Sequence, residues 1–170
     1  MTKTKRKTQL LSLVVITLLM AVILTYNPVS VRLMTVGIAV YYKIDPGIFY
    51  RLIRTESSFR SFAVSRAQAI GLGQMQEKTA DYIHSNHRRG MLFLPMYNLK
   101  LSAKYLHYLH AKYQGNWSLV LAAYNWGETN VSRRMGKEKI DPDTNYRERF
   151  RDVPETYAYI GKILVPRKKA

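Results

Sequence analysis

The segment LLSLVVITLLMAVILTY, Leu10–Tyr26, carries no charge and is apolar all round rather than on one face. Burying such a helix on every side needs more surrounding protein than the rest of the chain supplies, which points to a membrane and not to a core. The run is longer than an ordinary signal-peptide core and sits at the lower limit for spanning a bilayer, about 17 residues. The preceding MTKTKRK holds Lys3, Lys5, Arg6 and Lys7, and such a basic flank stays on the cytoplasmic side. No A-x-A-like cleavage site follows; the next residues are Asn27, Pro28 and Val29. The expected organisation is a basic cytoplasmic flank at 1–9, an uncleaved single-pass anchor at 10–26 and one domain at 29–165 on the outer side. Secretion of the domain after cleavage of the segment as a signal is the alternative.

Behind that segment the chain is long enough for one domain with a real core. A hydrophobic content of 47% excludes a disordered body. Cysteine is absent, which removes disulfides, thiol nucleophiles and cysteine metal sites. The net charge is +16, and removing the seven basic residues at the two ends leaves 20 basic against 11 acidic residues, a body near +9. Such a field attracts polyanions, whether nucleic acid, anionic lipid or an acidic cell-wall polymer.

Periodicity in the body is helical throughout. Val29–Ile44 has apolar residues at helix spacing; Asp45 and Pro46 then read as the cap and first turn of the next helix. In that helix Ile48, Leu52 and Ile53 share a face, and Glu56 stands one turn beyond Leu52. Residues 60–72 read as a loop, 74–84 as a short helix, 98–113 and 117–124 as helices. Residues 133–151 read as a long loop and 156–164 as a last helix. No strand alternation persists, so the body is a compact, mainly α domain.

Most catalytic devices are missing. There is no G-x-S-x-G elbow and no phosphate-cradling G-x-x-x-x-G-K loop. His84 with His87, and His107 with His110, are spaced to share a helix face, but no acid accompanies them in a zinc-protease pattern, and the reading is of solvated histidines. No metal or other cofactor is expected. Glu56 stands apart, since no other Asp or Glu occurs between it and Gln76. A carboxyl at the end of an apolar face resists ionisation when buried, which is how a carboxylic acid stays protonated near neutrality. Periodicity alone also allows an exposed helix-end glutamate.

An ordered set of motifs removes that ambiguity. It runs Glu56-Ser57-Ser58-Phe59, Ser65, Gly71-Leu72-Gly73-Gln74, Ala123-Tyr124-Asn125-Trp126-Gly127 and Glu155-Thr156-Tyr157-Ala158-Tyr159. In order and spacing this resembles the lytic transglycosylases of the soluble (SLT) type, which share their domain with goose-type lysozyme. The likeness covers about Val31 to Leu164. Gly73 stands where the family has Met, and Gln76 where an apolar residue is common, both at the cleft floor in that family.

The resemblance implies a lysozyme-like single domain that cuts the β-1,4 linkage between N-acetylmuramic acid and N-acetylglucosamine in peptidoglycan. Glu56 is then the lone acid and base, and the product carries 1,6-anhydromuramyl ends. Tyr124 and Asn125 are expected to orient the N-acetyl group, Ser65 and Gln74 to assist by hydrogen bonds, and Gly71 to let backbone approach the sugar. Tyr159 stands between core packing and cleft lining, and Glu155 reads as a helix-cap acid rather than a second catalyst. The expected partners are glycan strands and, through the anchor, the inner membrane, with the domain in the periplasm; a secretion or conjugation machine is a further candidate. Nucleic acid is not expected, because no basic helix with interleaved base-reading residues is evident. A lysozyme-type hydrolase and a non-catalytic glycan-binding accessory are the competing functions.

Overall fold

The computed structural model describes residues 3–164. The expected domain end at residue 165 and the basic residues Arg167, Lys168 and Lys169 lie outside the described residues. α1 (Lys3–Tyr26) is long and apolar enough to cross a membrane, and none of its apolar window is buried in the protein body. Two of its hydroxyls bond back to the helix: Thr17 donates to the Leu13 carbonyl at 2.9 Å and Thr25 to that of Ala21 at 2.8 Å. Neither then needs water. Asn27, which accepts from the Val29 amide at 2.8 Å, separates α1 from α2 (Pro28–Tyr41) and caps the second helix. α2 ends three residues earlier than its apolar run suggests.

Asp45 accepts from the Ile48 amide at 2.8 Å and opens α3 (Pro46–Ser57), with Pro46 in the first turn where its missing N–H costs nothing. Ile48, Phe49, Leu52 and Ile53 are buried against the α2 face formed by Val31, Ile38 and Ala39. After an irregular segment come α4 (Glu77–Ile83), a 3₁₀ segment (Arg89–Phe93), α5 (Pro95–Lys112) and α6 (Trp117–Trp126). Every residue of α6 from Ser118 to Ala123 is buried, because the helix is apolar all round and packs on α5 and on two later helices, α7 (Glu128–Met135) and α8 (Pro154–Ile163). It is the axis of the body.

The expected long loop at 133–151 needs correction. Residues up to Met135 belong to α7 (Glu128–Met135), and Tyr146–Phe150 form a second 3₁₀ segment. α7 is too short and polar to show a period; only Val131 and Met135 are buried, one turn apart. The loop between is pinned by Asn116. Its side-chain nitrogen donates to the carbonyls of Asp141 at 2.8 Å and Thr144 at 2.7 Å, while Oδ1 caps α6 through the Leu119 amide at 3.1 Å. α8 (Pro154–Ile163) closes the chain against α3 and α6.

The segment at 60–76 has no strand, yet it is tightly bonded. Ile70 and Met75 exchange backbone hydrogen bonds at 3.0 Å, and the Gly71 amide donates to Ala63 at 2.8 Å. It is fastened to α5 by one fully buried side chain. Asn98 Oδ1 accepts from the Gly73 amide at 2.8 Å, and its nitrogen donates to the carbonyls of Ile70 at 2.9 Å and Leu92 at 2.8 Å. Asn98→Ala leaves the Gly73 amide and the Leu92 carbonyl without a partner, and the Ile70 carbonyl with the Met75 amide alone. The expected loss is about 2–3 kcal/mol of unfolding free energy, read from denaturant midpoints at unchanged slope.

Candidate active site

Glu56 reaches its place because α3 is stopped immediately after it. Ser57 turns its hydroxyl back to the Ile53 carbonyl at 3.3 Å, and Ser58 and Phe59 take left-handed φ values of 52° and 63°. Phe59 then plugs the core, its ring 4.8 Å from that of Tyr50 and 5.4 Å from the Arg32 guanidinium. The aromatic anchor sets where the helix ends, and the end of the helix sets where the carboxyl points.

The carboxyl opens on a cleft of about 650 Å³ whose wall includes Ser65, Gln74, Tyr124, Asn125 and Glu155. Burial pushes Glu56 up to about 7, from an ordinary value near 4.5. The Tyr159 hydroxyl donates to Oε1 at 2.5 Å and opposes that rise by stabilising the ionised form, while the Glu155 charge adds to it. Tyr159 itself is buried, and burial pushes its own hydroxyl well up, so it remains a donor across the neutral range. Tyr159 thus lies in the core, off the cleft wall, with its hydroxyl bonded to the acid.

Tyr124 and Asn125 leave the C-terminal end of α6 on the same cleft. The Tyr124 hydroxyl donates to the Gly73 carbonyl at 2.8 Å, and Asn125 Oδ1 accepts from Thr156 at 2.7 Å. Ser65 lines the cleft while its hydroxyl closes a turn by accepting from the Ala69 amide at 3.0 Å. Gln74, at φ 47°, donates to the Gly71 carbonyl at 2.9 Å and so stiffens the loop it belongs to.

Gly71 is elsewhere. It is buried off the cleft at φ +78°, and a Cβ there would meet Asn98 Nδ2 at 2.3 Å and the Leu92 carbonyl at 2.4 Å. Its missing side chain admits Asn98, where approach to a sugar was expected. Gly73 works in the same way, since a Cβ would meet Ser102 Oγ at 2.0 Å and the Tyr124 hydroxyl at 2.9 Å. Ser102 and Tyr124 occupy the room that a larger residue would claim. Gln76 does line the cleft, exposed at its edge.

Of the other acids, Asp81 is exposed and Glu128 faces Lys112 at 3.4 Å; of these and Glu155, only Glu155 shares the cleft. The histidines depart from the solvated reading. His84 and His87 are half-buried and share the Tyr97 hydroxyl at 3.0 and 3.2 Å, and His110 packs its ring 4.7 Å from Trp117; His107 alone is exposed. Among the described residues no group of three His, Cys, Asp or Glu is placed to hold a metal ion. Sequence reasoning assigned no role to Thr156 or Asn98. Thr156 had a signal, its place in the late Glu155–Tyr159 motif; Asn98 had none beyond a polar residue beside Leu99 on an apolar helix.

A helical body with one carboxyl raised into the neutral range at an open cleft is the arrangement of an acid–base enzyme. Residues 37–147 match the Transglycosylase SLT domain, and the chain belongs to that family. The match stops short of α8, so Thr156 and Tyr159 support the site from beyond it. Among solved structures the chain is similar to the lytic transglycosylase Slt of Pseudomonas aeruginosa, determined as an inactive glutamate-to-glutamine mutant. Identity is 28% and the TM-score 0.67 over 78% of this chain. It is also similar to the 70 kDa soluble lytic transglycosylase of Escherichia coli, with 25% identity and a TM-score of 0.63 over 75% of this chain. The fold is therefore lysozyme-like. The chain spans 22% of the length of each of those proteins.

The raised carboxyl has a stability consequence. An unfolded Glu56 ionises near pH 4.5 and the folded one near 7. Between those values the folded state holds a proton that the unfolded state has lost, so this group's contribution to stability falls as pH rises from 4.5 to 7, then levels. Glu56→Gln abolishes the effect. The variant should gain up to about 3 kcal/mol over wild type at pH 8 relative to their difference at pH 4, read by denaturant unfolding at both. Tyr159→Phe removes the opposing hydrogen bond and should move the Glu56 titration, followed by carboxyl-carbon NMR, to higher pH.

Proposed function

We propose that the protein is a peptidoglycan lytic transglycosylase with Glu56 as its single acid and base. The observation that carries this reading is the Glu56 carboxyl, raised to about 7, bonded by Tyr159 and open to the cleft. Protonated near neutrality, it donates to the oxygen linking N-acetylmuramic acid to N-acetylglucosamine. The C1–O bond breaks, and the leaving sugar departs with that proton. The muramyl N-acetyl oxygen supports the anomeric carbon, in place of the second carboxylate of ordinary glycosidases. Glu56, now ionised and stabilised by Tyr159, withdraws the proton of the C6 hydroxyl. That oxygen closes on C1 to give a 1,6-anhydro ring, with no water consumed.

The neighbours fit these roles. Thr156 occupies Asn125 Oδ1 and leaves the amide nitrogen to donate to the N-acetyl oxygen. Tyr124, its hydroxyl committed to Gly73, offers a fixed ring as the facing wall. Ser65 and Gln74 present the loop side of the groove. Family membership supports peptidoglycan as the substrate, and α1, as an anchor at residues 10–26, would hold the domain 29–165 at the inner membrane, on the periplasmic side.

One observation favours a second reading. Glu155 lines the same cleft and raises Glu56, so a water activated between two carboxylates would give a lysozyme-type hydrolase. Mass spectrometry of digested peptidoglycan decides: anhydromuramyl ends support the transglycosylase, and reducing ends alone overturn it. Glu56→Gln should keep the fold and lose roughly 10²–10⁴-fold in turnover; undiminished clearing of peptidoglycan by the variant refutes the assignment. Wild-type turnover should fall about tenfold per pH unit above the Glu56 midpoint near 7, as the acid form is depleted.

A further inference from the structure

α2 is apolar on both sides, and the body covers only one. Val31, Thr35, Ile38 and Ala39 face inward and are buried. On the opposite side Val29, Leu33, Val36 and Val40 stand free, at 61%, 69%, 40% and 63% exposure. At 100° per residue these four fall within about 60° of one another, a stripe three turns long. Monomeric soluble proteins rarely leave such a stripe uncovered.

What covers it follows from what precedes it. One residue, Asn27, separates α2 from α1, whose body-facing contacts include the Tyr26 ring stacked on Phe62 at a centroid distance of 5.0 Å. The uncharged run of α1, Leu10–Tyr26, extends about 25 Å at 1.5 Å per residue, whereas a bilayer's hydrocarbon core is about 30 Å thick. A span that is too short draws its flanks into the interface. The flank on the outer side is the stripe itself. Arg32 lies at its edge, with its guanidinium over the Phe59 ring and its charge able to reach headgroups.

We infer that the outer face of α2 is a second membrane contact, lying in the headgroup boundary of the leaflet that α1 leaves, with lipid as its occupant. The inference rests on α1 spanning the bilayer and goes beyond the glycan chemistry. Because α3 packs on α2 and carries Glu56 at its far end, this contact would hold the cleft at a set height and tilt above the membrane. A tethered but freely tumbling domain would have neither.

The absence of cysteine makes the test direct. Single Leu33→Cys, Val40→Cys, Val15→Cys and Lys104→Cys variants of the full chain carry a nitroxide label. They are reconstituted in vesicles of phosphatidylethanolamine and phosphatidylglycerol. Accessibility to dissolved oxygen and to a water-soluble nickel chelate is read at each position. The expected result is an oxygen-to-nickel ratio at Leu33 and Val40 close to that at Val15 and several-fold above that at exposed Lys104. Aqueous values at Leu33 and Val40 with a lipid value at Val15 overturn the inference while leaving the anchor intact. Poor access to both reagents at Leu33 and Val40 overturns it in favour of a protein covering the face. An aqueous Val15 overturns it at its premise, and anhydromuramyl products from the same vesicles would leave the catalytic reading standing.

Discussion

A carboxyl held out of water at the end of a packed helix is the constraint on which this molecule depends. Taking Glu56 from solvent disfavours its charge, and a single hydrogen bond from Tyr159 limits how far that goes. The two residues are 103 positions apart, one on α3 and the other on α8. Either one misplaced would alter the acid: without burial it ionises too easily, and without the tyrosine its anion has no donor. The packing of α3 on α2 and α8 is thus part of the chemistry.

The second wall of the cleft is built by subtraction. Gly71 has no side chain because Asn98 needs the space, and Gly73 has none because Ser102 and Tyr124 fill it. Asn98 then satisfies the backbone of a segment with no strand or helix of its own. A segment of this kind would cost free energy through unpaired amides and carbonyls if it were not bonded from outside. Its rigidity places Gln74 and Ser65, and the Gly73 carbonyl gives Tyr124 a fixed partner. Side chains off the cleft hold those that line it.

Strong positive charge, a helix fit for a membrane and a groove belong to one economy of position. A basic body is drawn to anionic polymer and anionic lipid alike, within a Debye length of about 8–10 Å. The buried face of α2 supports α3, and its free face lies next in chain to the apolar α1, so one helix links α1 to the helix that carries Glu56.

Much of this was legible in the sequence, and the reasons differ by residue. The helix start at Asp45 is local chemistry, a side-chain oxygen accepting from an amide three residues on; the caps at Asn27 and Asn116 are of the same kind and went unread. The apolar run at Leu10–Tyr26, long enough to cross a membrane, is composition alone. Glu56 stood out because one acid, isolated in a long stretch and followed by ordered motifs, leaves few readings. Short α7 was missed because two apolar residues one turn apart make no visible period. The partner of Glu56, the support of Asn125 by Thr156 and the true reason for Gly71 were decided only in three dimensions. Each depends on side chains far apart in the chain meeting at atomic distance. Local propensity records where a helix begins and which face is apolar; it holds no information on which distant hydroxyl will stand 2.5 Å from an acid.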